Sequence, residues 1–553
     1  MTIDSDVLSG GPGSAALAPG AFATTPEHYA DVSVNDVVRA WARQIPDRPA
    51  FVDRAGTTTW RDYDELADVI AAEVLSCAGE SGDRVAVLLP DTAAIHATLC
   101  GCFRAGRIAA AIGARSGVRE IAHIMRRTNT EVLVTADTVR GRSWRDLVDD
   151  LHGHGVRPSD VVVVDAPRGT AVRYPLHDTD RSGDIGTFTS ADVTLLNSTS
   201  GTTGLPKVVA HTERKWVEFA REAMRGADIG PGDVVCSVVP APFGFGLWSA
   251  HFLPALLGIP TVVTARFDVD ETAMLIERER VTVLCCVSTQ FKMLLRSDAA
   301  RRYDLSSLRV LYTGGEPVPY DAAREFEDRT GAKVLQFYGS NEAGGVSRTT
   351  LADDTDTRLR TCGHLLESMR VRLLDDTGST CADGRRGRPA VSGPLVSAGY
   401  WDDPAANAEL YTDDGAMLLG DVVEIDDLGR LRVVGRTADF VIRGGKNISI
   451  VEIEDLVRGH PQVSDVAAVG IPDDIYGERV CAVVVLTDDG HLDTGTLADW
   501  LRSRGTTVEY LPEYVVTVDR LELGPGGKTD RRAARETAIG ALGRTGRGGT
   551  DPR

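Results

Sequence analysis

Apolar positions along the first two thirds of the chain alternate between helical and strand-like patterns. Within residues 63–75 they recur at helical spacing and predict one buried face, made of Tyr63, Leu66, Ala67, Ile70, Ala71 and Val74. Continuous apolar runs at 84–89, 281–287 and 308–313 predict short buried strands, each preceded by a helical stretch. This alternation predicts parallel sheets with helices on both faces, which is an α/β fold.

The polar pattern changes after residue 370. Strand-like segments at 421–426 and 429–435, separated by Asp and Gly turns, indicate an antiparallel or barrel-like piece. The remaining chain predicts a compact α+β region with helices at 451–458 and from about 495 to 504. From these changes we predict a disordered leader at 1–25, a large N-terminal domain at 26–436, a small C-terminal domain at 437–542 and a disordered tail at 543–553.

Composition excludes some partners. The net charge of −20 argues against nucleic acid or an acidic membrane surface as the main partner, although a local basic cluster could still bind a small anion. The nine cysteines form no C-x-x-C pair, so a zinc site or a disulfide framework is not expected and a reducing cytoplasm fits. We find neither a signal-peptide pattern nor an apolar run of about 18 residues, so no membrane segment is predicted.

One glycine-rich loop carries the first chemical signal. The stretch STSGTTGLPK (198–207) follows an apolar strand and precedes a segment in which Trp216 and Phe219 share a helical face. Its backbone N–H groups, hydroxyls and the terminal Lys207 suit a polyphosphate, although a flexible polar loop would look similar. The usual phosphate loop places its last glycine and lysine side by side, whereas Gly204 and Lys207 are three apart, so a different use of ATP is indicated.

Lysine is rare enough to be informative. Only six of the 60 basic residues are lysine, and three of these six lie in glycine-rich loops. The six positions are 207, 215, 292, 333, 446 and 528.

A series of motifs in fixed order then resembles the adenylate-forming superfamily, which includes acyl-CoA synthetases, luciferases and peptide-synthetase adenylation domains. After STSGTTGLPK come YTGGEP (312–317), QFYGSNEAG (336–344), GPLVSAGYW (393–401) and GPGGKTDRR (524–532), and the resemblance covers roughly residues 30–540. It implies a large N-terminal domain of two α/β sheets plus a β-barrel-like subdomain, followed by a small mobile C-terminal lid domain. It also implies the reaction of a carboxylic acid with ATP and Mg²⁺ to an acyl-adenylate, and acyl transfer to CoA or a carrier protein.

The resemblance assigns roles to matching positions. Lys528 is expected to bridge acid and nucleotide, Lys207 to contact phosphate, and Glu342 to hold Mg²⁺. Further ATP or AMP contacts are expected at Thr199, Ser200, Gly201, Thr202, Thr203, Gly204, Gly315, Glu316, Pro317, Tyr338, Asn341, Asp421 and Arg436. The acid pocket is expected at Phe243, Gly244, Trp248, Gly339 and Ser340, the CoA contacts at Arg443, Gly444, Gly445 and Lys446, and the hinge of the lid at Ala438.

The acid pocket indicates a substrate class. Amino-acid-activating relatives keep an aspartate for the substrate ammonium group where this chain has Gly244, so an α-amino acid is disfavoured. The aromatic residues nearby suit a largely apolar acid, although Phe245, Leu247 and Trp248 could equally be core.

Five positions depart from the family pattern. Ala438 replaces the usual Asp or Lys of the hinge, Val208 a glycine, Asn341 and Leu419 threonines, and Glu213 a common histidine. Because these departures gather on the ATP side, one hypothesis is a slow adenylation step, or an acyl-adenylate supplied by a separate adenylating enzyme. Ordinary family variation with full activity is the favoured alternative, and a carrier-loading enzyme and a non-catalytic acyl-nucleotide sensor are two others.

Overall fold

The computed structural model describes most of the chain. The described residues are 32–77, 83–176, 187–199, 206–316, 318–375, 377–382, 384–436, 440–443, 446–473, 477–487, 490–504, 506, 510–523 and 529–543. They form two compact units, a larger one (residues 32–199, 206–371 and 391–417) and a smaller one (372–390 and 418–543).

The larger unit contains a nine-stranded sheet. Six neighbouring strands in its middle run parallel, and antiparallel strands complete both edges. In sheet order the strands are His364–Leu365, Gly344–Arg348, Lys333–Ser340, Val310–Gly314, Val283–Cys285, Val235–Ser237, Thr261–Val263, Pro49–Val52 and Thr57–Thr59.

A seven-stranded sheet belongs to the same unit. Its five inner strands are parallel and its two edge strands antiparallel, so the predicted parallel α/β architecture is confirmed. In sheet order the strands are Val208–Thr212, Val193–Ser198, Ile108–Ala111, Arg84–Leu88, Val132–Thr135, Asp160–Asp165 and Thr170–Pro175. A separate hairpin pairs Thr138–Val139 with Arg142–Ser143.

Some helices in the larger unit bury one face, whereas others, such as Ala93–Arg104 and Leu247–Phe252, are buried almost all round. The predicted helix at 63–75 is Trp60–Leu75, and all six apolar residues predicted for its face are buried. The Thr59 side chain caps this helix by accepting the Asp62 amide, and the Asp62 side chain accepts the Thr59 amide, which completes a capping box. The other helices are Val34–Gln44, Ala93–Arg104, Val118–Arg127, Trp144–Gly153, Ala166–Arg168, Glu213–Ala227, Gly244–Gly246, Leu247–Phe252, Leu253–Leu257, Val269–Glu279, Ser288–Arg296, Ala299–Arg302, Tyr320–Thr330, Thr355–Arg360 and Pro404–Leu410.

The smaller unit contains most of a five-stranded sheet with antiparallel pairs and an α+β region. The strands of the sheet are Arg370–Leu374, Arg386–Ser392, Asp421–Ile425 and Leu431–Arg436, with Met417–Leu418 paired to the second. The α+β region has strands Lys446–Ser449, Phe440–Arg443, Gly477–Leu486, Val463–Asp473 and Tyr514–Thr517, and helices Ile450–Arg458, Thr494–Ser503 and Arg531–Ala541. Both helices predicted here are therefore confirmed to within a residue or so at each end.

No helix among the described residues is both long enough and apolar enough to span a bilayer.

Candidate active site

The glycine-rich loop joins two antiparallel strands. Ser198 pairs with Val208 in the register, and the Thr199 amide donates to the Lys207 carbonyl at 2.9 Å. The sequence pattern led from the loop directly into a helix, but the strand Val208–Thr212 intervenes and the helix begins at Glu213. This correction has a physical reason: the run of apolar and β-branched residues after the lysine extends the seven-stranded sheet. Ser200, Gly201, Thr202, Thr203 and Gly204 lie outside the described residues.

A second segment pairs with the strand after the loop. Ala398 donates its amide to the Ala210 carbonyl, Ala210 to Gly399 and Trp401 to Val208, at distances of 2.7–2.9 Å. These backbone hydrogen bonds fix Tyr400, whose ring lies 4.6 Å from the Lys207 Nζ.

Tyr400 also contacts the glutamate predicted to hold magnesium. Its hydroxyl donates to Glu342 Oε1 at 2.8 Å, and burial together with the Glu342 charge raises the Tyr400 pKa well above its usual value. The ammonium of the exposed Lys207 and the carboxylate of Glu342 thus both contact Tyr400, the first at its ring and the second at its hydroxyl. No role was predicted for Tyr400 from the sequence, although it lies in the motif GPLVSAGYW.

Close backbone approach fixes the turn that carries Glu342. A Cβ on Gly339 would overlap the Gly344 carbonyl, and Gly344 itself has a φ of +68°, so both positions require glycine. Ser340 Oγ accepts the Ala343 amide at 3.0 Å, and the Glu342 carbonyl accepts a hydrogen bond from the Ser397 amide at 2.7 Å. Gly339 and Ser340, predicted for the acid pocket, therefore also shape this turn.

Behind the turn lies a lysine that the sequence analysis did not assign. Lys215 is fully buried, and its Nζ lies 2.5 Å from the Asn341 carbonyl oxygen and 3.3 Å from His211 Nδ1. Burial lowers the pKa of Lys215 to about 7, against a smaller upward effect of the Glu342 charge, and burial also lowers the pKa of His211. The rarity of lysine was the one sequence signal for this residue.

The residues predicted for the adenine slot lie at the ends of neighbouring parallel strands. Gly315 follows Val310–Gly314 with a φ of +79°, and Tyr338 is buried within Lys333–Ser340. Next to Gly315, Glu316 Oε1 is buried without a hydrogen-bond partner among the described residues. Pro317 lies outside them.

The predicted acid pocket borders an aromatic cluster. A Cβ on Gly244 would lie 2.9 Å from the Trp216 ring and 3.0 Å from Asn341 Oδ1, so no larger side chain fits there without movement. Phe243, before it, is half-buried, whereas Trp248 is 1% exposed. Trp248 contacts the rings of Phe219, Phe245, Tyr312 and Phe337 at centroid distances of 5.2–5.8 Å.

The smaller unit carries the predicted ribose and CoA residues. Asp421 and Arg436 are cross-strand partners in register, and Arg443 is the register partner of Lys446 in the next antiparallel pair. Leu419, a departure from the family pattern, is buried and donates its amide to the Pro389 carbonyl at 2.9 Å. Gly444, Gly445, Ala438 and Lys528 lie outside the described residues.

Two further departures have structural roles in the larger unit. Val208 is 2% exposed and belongs to the core beside the seven-stranded sheet. The Glu213 carboxylate accepts the Val34 amide at 3.0 Å, at the start of the helix Val34–Gln44. The Glu213 side chain thus serves the first turn of this helix, and its grouping with the ATP side stays a prediction.

Comparisons with known proteins agree with this arrangement. The model of the AMP-binding enzyme family matches residues 38–401, and that of the AMP-binding enzyme C-terminal domain matches residues 452–528. The chain therefore belongs to the AMP-binding enzymes, the adenylate-forming superfamily that its motifs resemble.

Individual relatives cover nearly the whole chain. A feruloyl-CoA synthase of Amycolatopsis sp is 33% identical over 88% of this chain and 95% of its own length. A medium-chain fatty-acid–CoA ligase of Escherichia coli (strain K12) is 28% identical over 93% and 92%. The crystal structure of ATP-bound MatB from Rhodopseudomonas palustris matches with a TM-score of 0.77 at 24% identity, over 92% of this chain and 99% of that one. This last match establishes the fold, a large N-terminal domain followed by a small C-terminal domain.

Proposed function

We propose that this protein is an acid–CoA ligase that forms an acyl-adenylate from a carboxylic acid and ATP. The observation that carries the proposal is the grouping of Lys207, the last residue of the glycine-rich motif, with Tyr400 and Glu342, in a chain that belongs to the AMP-binding enzymes. The relatives named as a CoA ligase and a feruloyl-CoA synthase support CoA as the acceptor.

The proposed first step joins two anions. A carboxylate oxygen of the acid attacks the α-phosphorus of ATP, and the bond to pyrophosphate breaks. Lys207 offsets phosphate charge as it develops, and Lys528 would do so at the carboxylate, as the family resemblance implies. In the second step the CoA thiolate attacks the acyl carbon and AMP leaves; Arg443 and Lys446 are the proposed contacts for CoA, on a lid at 437–542 that turns about Ala438.

The described residues fit the nucleotide and its metal. Mg²⁺ bound to a nucleotide commonly takes one or two protein carboxylates and completes its shell with phosphate and water oxygens, and the Glu342 carboxylate suits that role. Glu316 Oε1 is a buried acceptor that has no partner within the described part of the chain, and it suits the exocyclic amino group of adenine. Asp421 and Arg436, paired in register, are the proposed ribose contacts.

The aromatic cluster supports a compact, ring-containing acid. Tyr312 and Phe337 stack at 5.5 Å, Phe219 and Phe337 meet at 4.7 Å, and the Tyr312 hydroxyl donates to the Ala223 carbonyl at 2.7 Å. Gly244 borders this cluster through the Trp216 ring, which packs on Phe219 at 6.2 Å, and an extended alkyl chain would need these rings to separate. Of the acid classes in the relatives' names, the aryl acid therefore fits beside the cluster better than the medium-chain fatty acid.

One experiment tests both half-reactions. Aryl, alicyclic and aliphatic acids are offered with ATP, Mg²⁺ and CoA, and in parallel as preformed acyl-adenylates with CoA alone, with acyl-CoA read by mass spectrometry. Product in both arms, best with single-ring acids, is expected. Product from the adenylates alone would refute the adenylation step, and no product in either arm would refute the ligase proposal.

A further inference from the structure

A buried hydrogen-bond network links Lys215 to the turn that carries Glu342. Its Nζ faces three acceptors: the Asn341 carbonyl at 2.5 Å, the Glu342 carbonyl at 3.4 Å and His211 Nδ1 at 3.3 Å. An ammonium group has three hydrogens to donate, so each acceptor can receive one.

The partners also fix the protonation of the imidazole. In its protonated form Lys215 only donates, so His211 Nδ1 then accepts and the ring proton lies on Nε2. Nε2 then donates to Asn197 Oδ1 at 2.8 Å, and Asn341 Nδ2 donates to the same oxygen at 2.7 Å. The side-chain Nδ2 of Asn197 donates in turn to Asn341 Oδ1 at 3.2 Å and to the Pro242 carbonyl at 2.8 Å. Every hydrogen-bonding group of Asn197 and His211 is thus engaged.

This network joins segments that lie far apart in sequence. Asn197 and His211 belong to the two strands that flank the glycine-rich loop, and Lys215 lies in the first turn of the following helix. Asn341 precedes Glu342, and Pro242 precedes the residues of the proposed acid pocket. A chain of directional contacts between buried groups makes the relative position of such segments specific.

We propose that Lys215 is a positioning residue of adenylation: its Nζ holds the backbone of Asn341 and Glu342 so that the Glu342 carboxylate meets Mg·ATP. Asn197 receives the side chain of Asn341, which accounts for an asparagine at a position where the family pattern has threonine. Lys215 touches no substrate in this arrangement and acts through the turn. The inference rests on the proposed function, because it assumes that Mg·ATP binds at Glu342.

The test replaces Lys215 with methionine, which keeps the length of the side chain and removes every donor. Isothermal titration calorimetry on the full chain measures Mg·ATP binding, and a second assay follows acyl-CoA formation from the best preformed acyl-adenylate of the acid panel. For Lys215→Met we expect the Kd for Mg·ATP to rise at least tenfold, with thioester formation from the adenylate within threefold of wild type. Lys333→Met is the matched control, since Lys333 is exposed on the strand that leads to the same turn, and it should change neither value.

The outcomes separate the two proposals. A Kd for Mg·ATP within twofold of wild type, or an equal loss in both assays, would overturn the role of Lys215. Should Lys215→Met fail to fold, Lys215→Gln retains two donors on a shorter side chain; a threefold or larger rise in Kd supports the role and an unchanged Kd overturns it. A wild-type protein that neither binds Mg·ATP nor forms a thioester refutes the proposed function itself.

Discussion

Glu213→Gln should change how the stability of the larger unit depends on pH. The Glu213 carboxyl is buried, and desolvation raises its pKa from an ordinary 4.5 to about 8, with the Val34 amide as a weaker opposing influence. The folded state therefore holds a proton that the unfolded state has lost between pH 4.5 and 8, so stability falls as the pH rises through this window. Glutamine keeps an acceptor for Val34 and cannot ionise.

The size of the effect follows from the shift. The pKa rises by about 3.5, the difference between about 8 and 4.5, and each unit corresponds to about 1.4 kcal/mol. The upper bound is then about 5 kcal/mol above pH 8, and structural relaxation around the charge reduces this to roughly 2–3 kcal/mol. At about 2 °C per kcal/mol, the melting temperature of Glu213→Gln should rise relative to wild type by roughly 5 °C between pH 5 and pH 8.5.

Differential scanning calorimetry at pH 5.0, 6.0, 7.0, 8.0 and 8.5 measures this difference, with the transition of the larger unit fitted separately because a chain of two units need not unfold in one step. Glu65→Gln is the control, since Glu65 is exposed on the helix Trp60–Leu75 and should follow wild type at every pH. Parallel profiles for wild type and Glu213→Gln from pH 5.0 to 8.5 would refute the reasoning, because a buried carboxyl that ionises without cost has no raised pKa.

Three further variants test the proposed site. Tyr400→Phe removes the hydroxyl that donates to Glu342 and should lower kcat/KM for ATP about 5- to 30-fold in a pyrophosphate-release assay. This factor corresponds to about 1–2 kcal/mol for a half-buried hydrogen bond to a charged group. An unchanged kcat/KM would exclude the contact. Glu316→Gln should raise KM for ATP about tenfold and weaken discrimination against GTP, and equal selectivity in both proteins would count against Glu316 in the adenine slot. Trp248→Ala removes a ring from the cluster beside the predicted acid pocket and should raise kcat/KM for acids longer than one ring about tenfold relative to benzoate, measured as acyl-CoA. The same length preference as wild type would place Trp248 outside the pocket.

Local periodicity was sufficient to predict individual helices and strands, but not which strands lie side by side in a sheet. The helix Trp60–Leu75 was readable because apolar residues at helical spacing bury one face, and 281–287 and 308–313 were readable as uninterrupted apolar runs. The strand Val208–Thr212 was missed because it is short and lies between two stronger signals. Sheet order depends on contacts across hundreds of residues, such as Pro49–Val52 beside Thr261–Val263, and no local pattern encodes it.

The residues of the candidate site likewise fall into those that a sequence motif predicts and those that only the fold identifies. Lys207 and Glu342 were found because they lie in motifs, whereas Tyr400 became relevant through a contact that spans 58 residues. Lys215 and Asn197 have no local signature of function, since a lysine in a first helical turn and an asparagine in a strand are ordinary residues. Their roles follow only when the fold brings Asn341 to Asn197 across 144 positions.

The departures from the family pattern then argue for an adapted site and against a decayed one. Decay would leave a replaced residue without a matching change around it, and a buried polar group without a partner would cost about 1–3 kcal/mol. Asn341 instead exchanges two hydrogen bonds with Asn197, and Val208 fills a core position. Leu419 is likewise buried with its amide paired. Because each of these replacements has a complementary neighbour, they do not favour a non-catalytic sensor. The effect of the remaining departure, Ala438 at the predicted hinge, is tested by measuring the adenylation half-reaction.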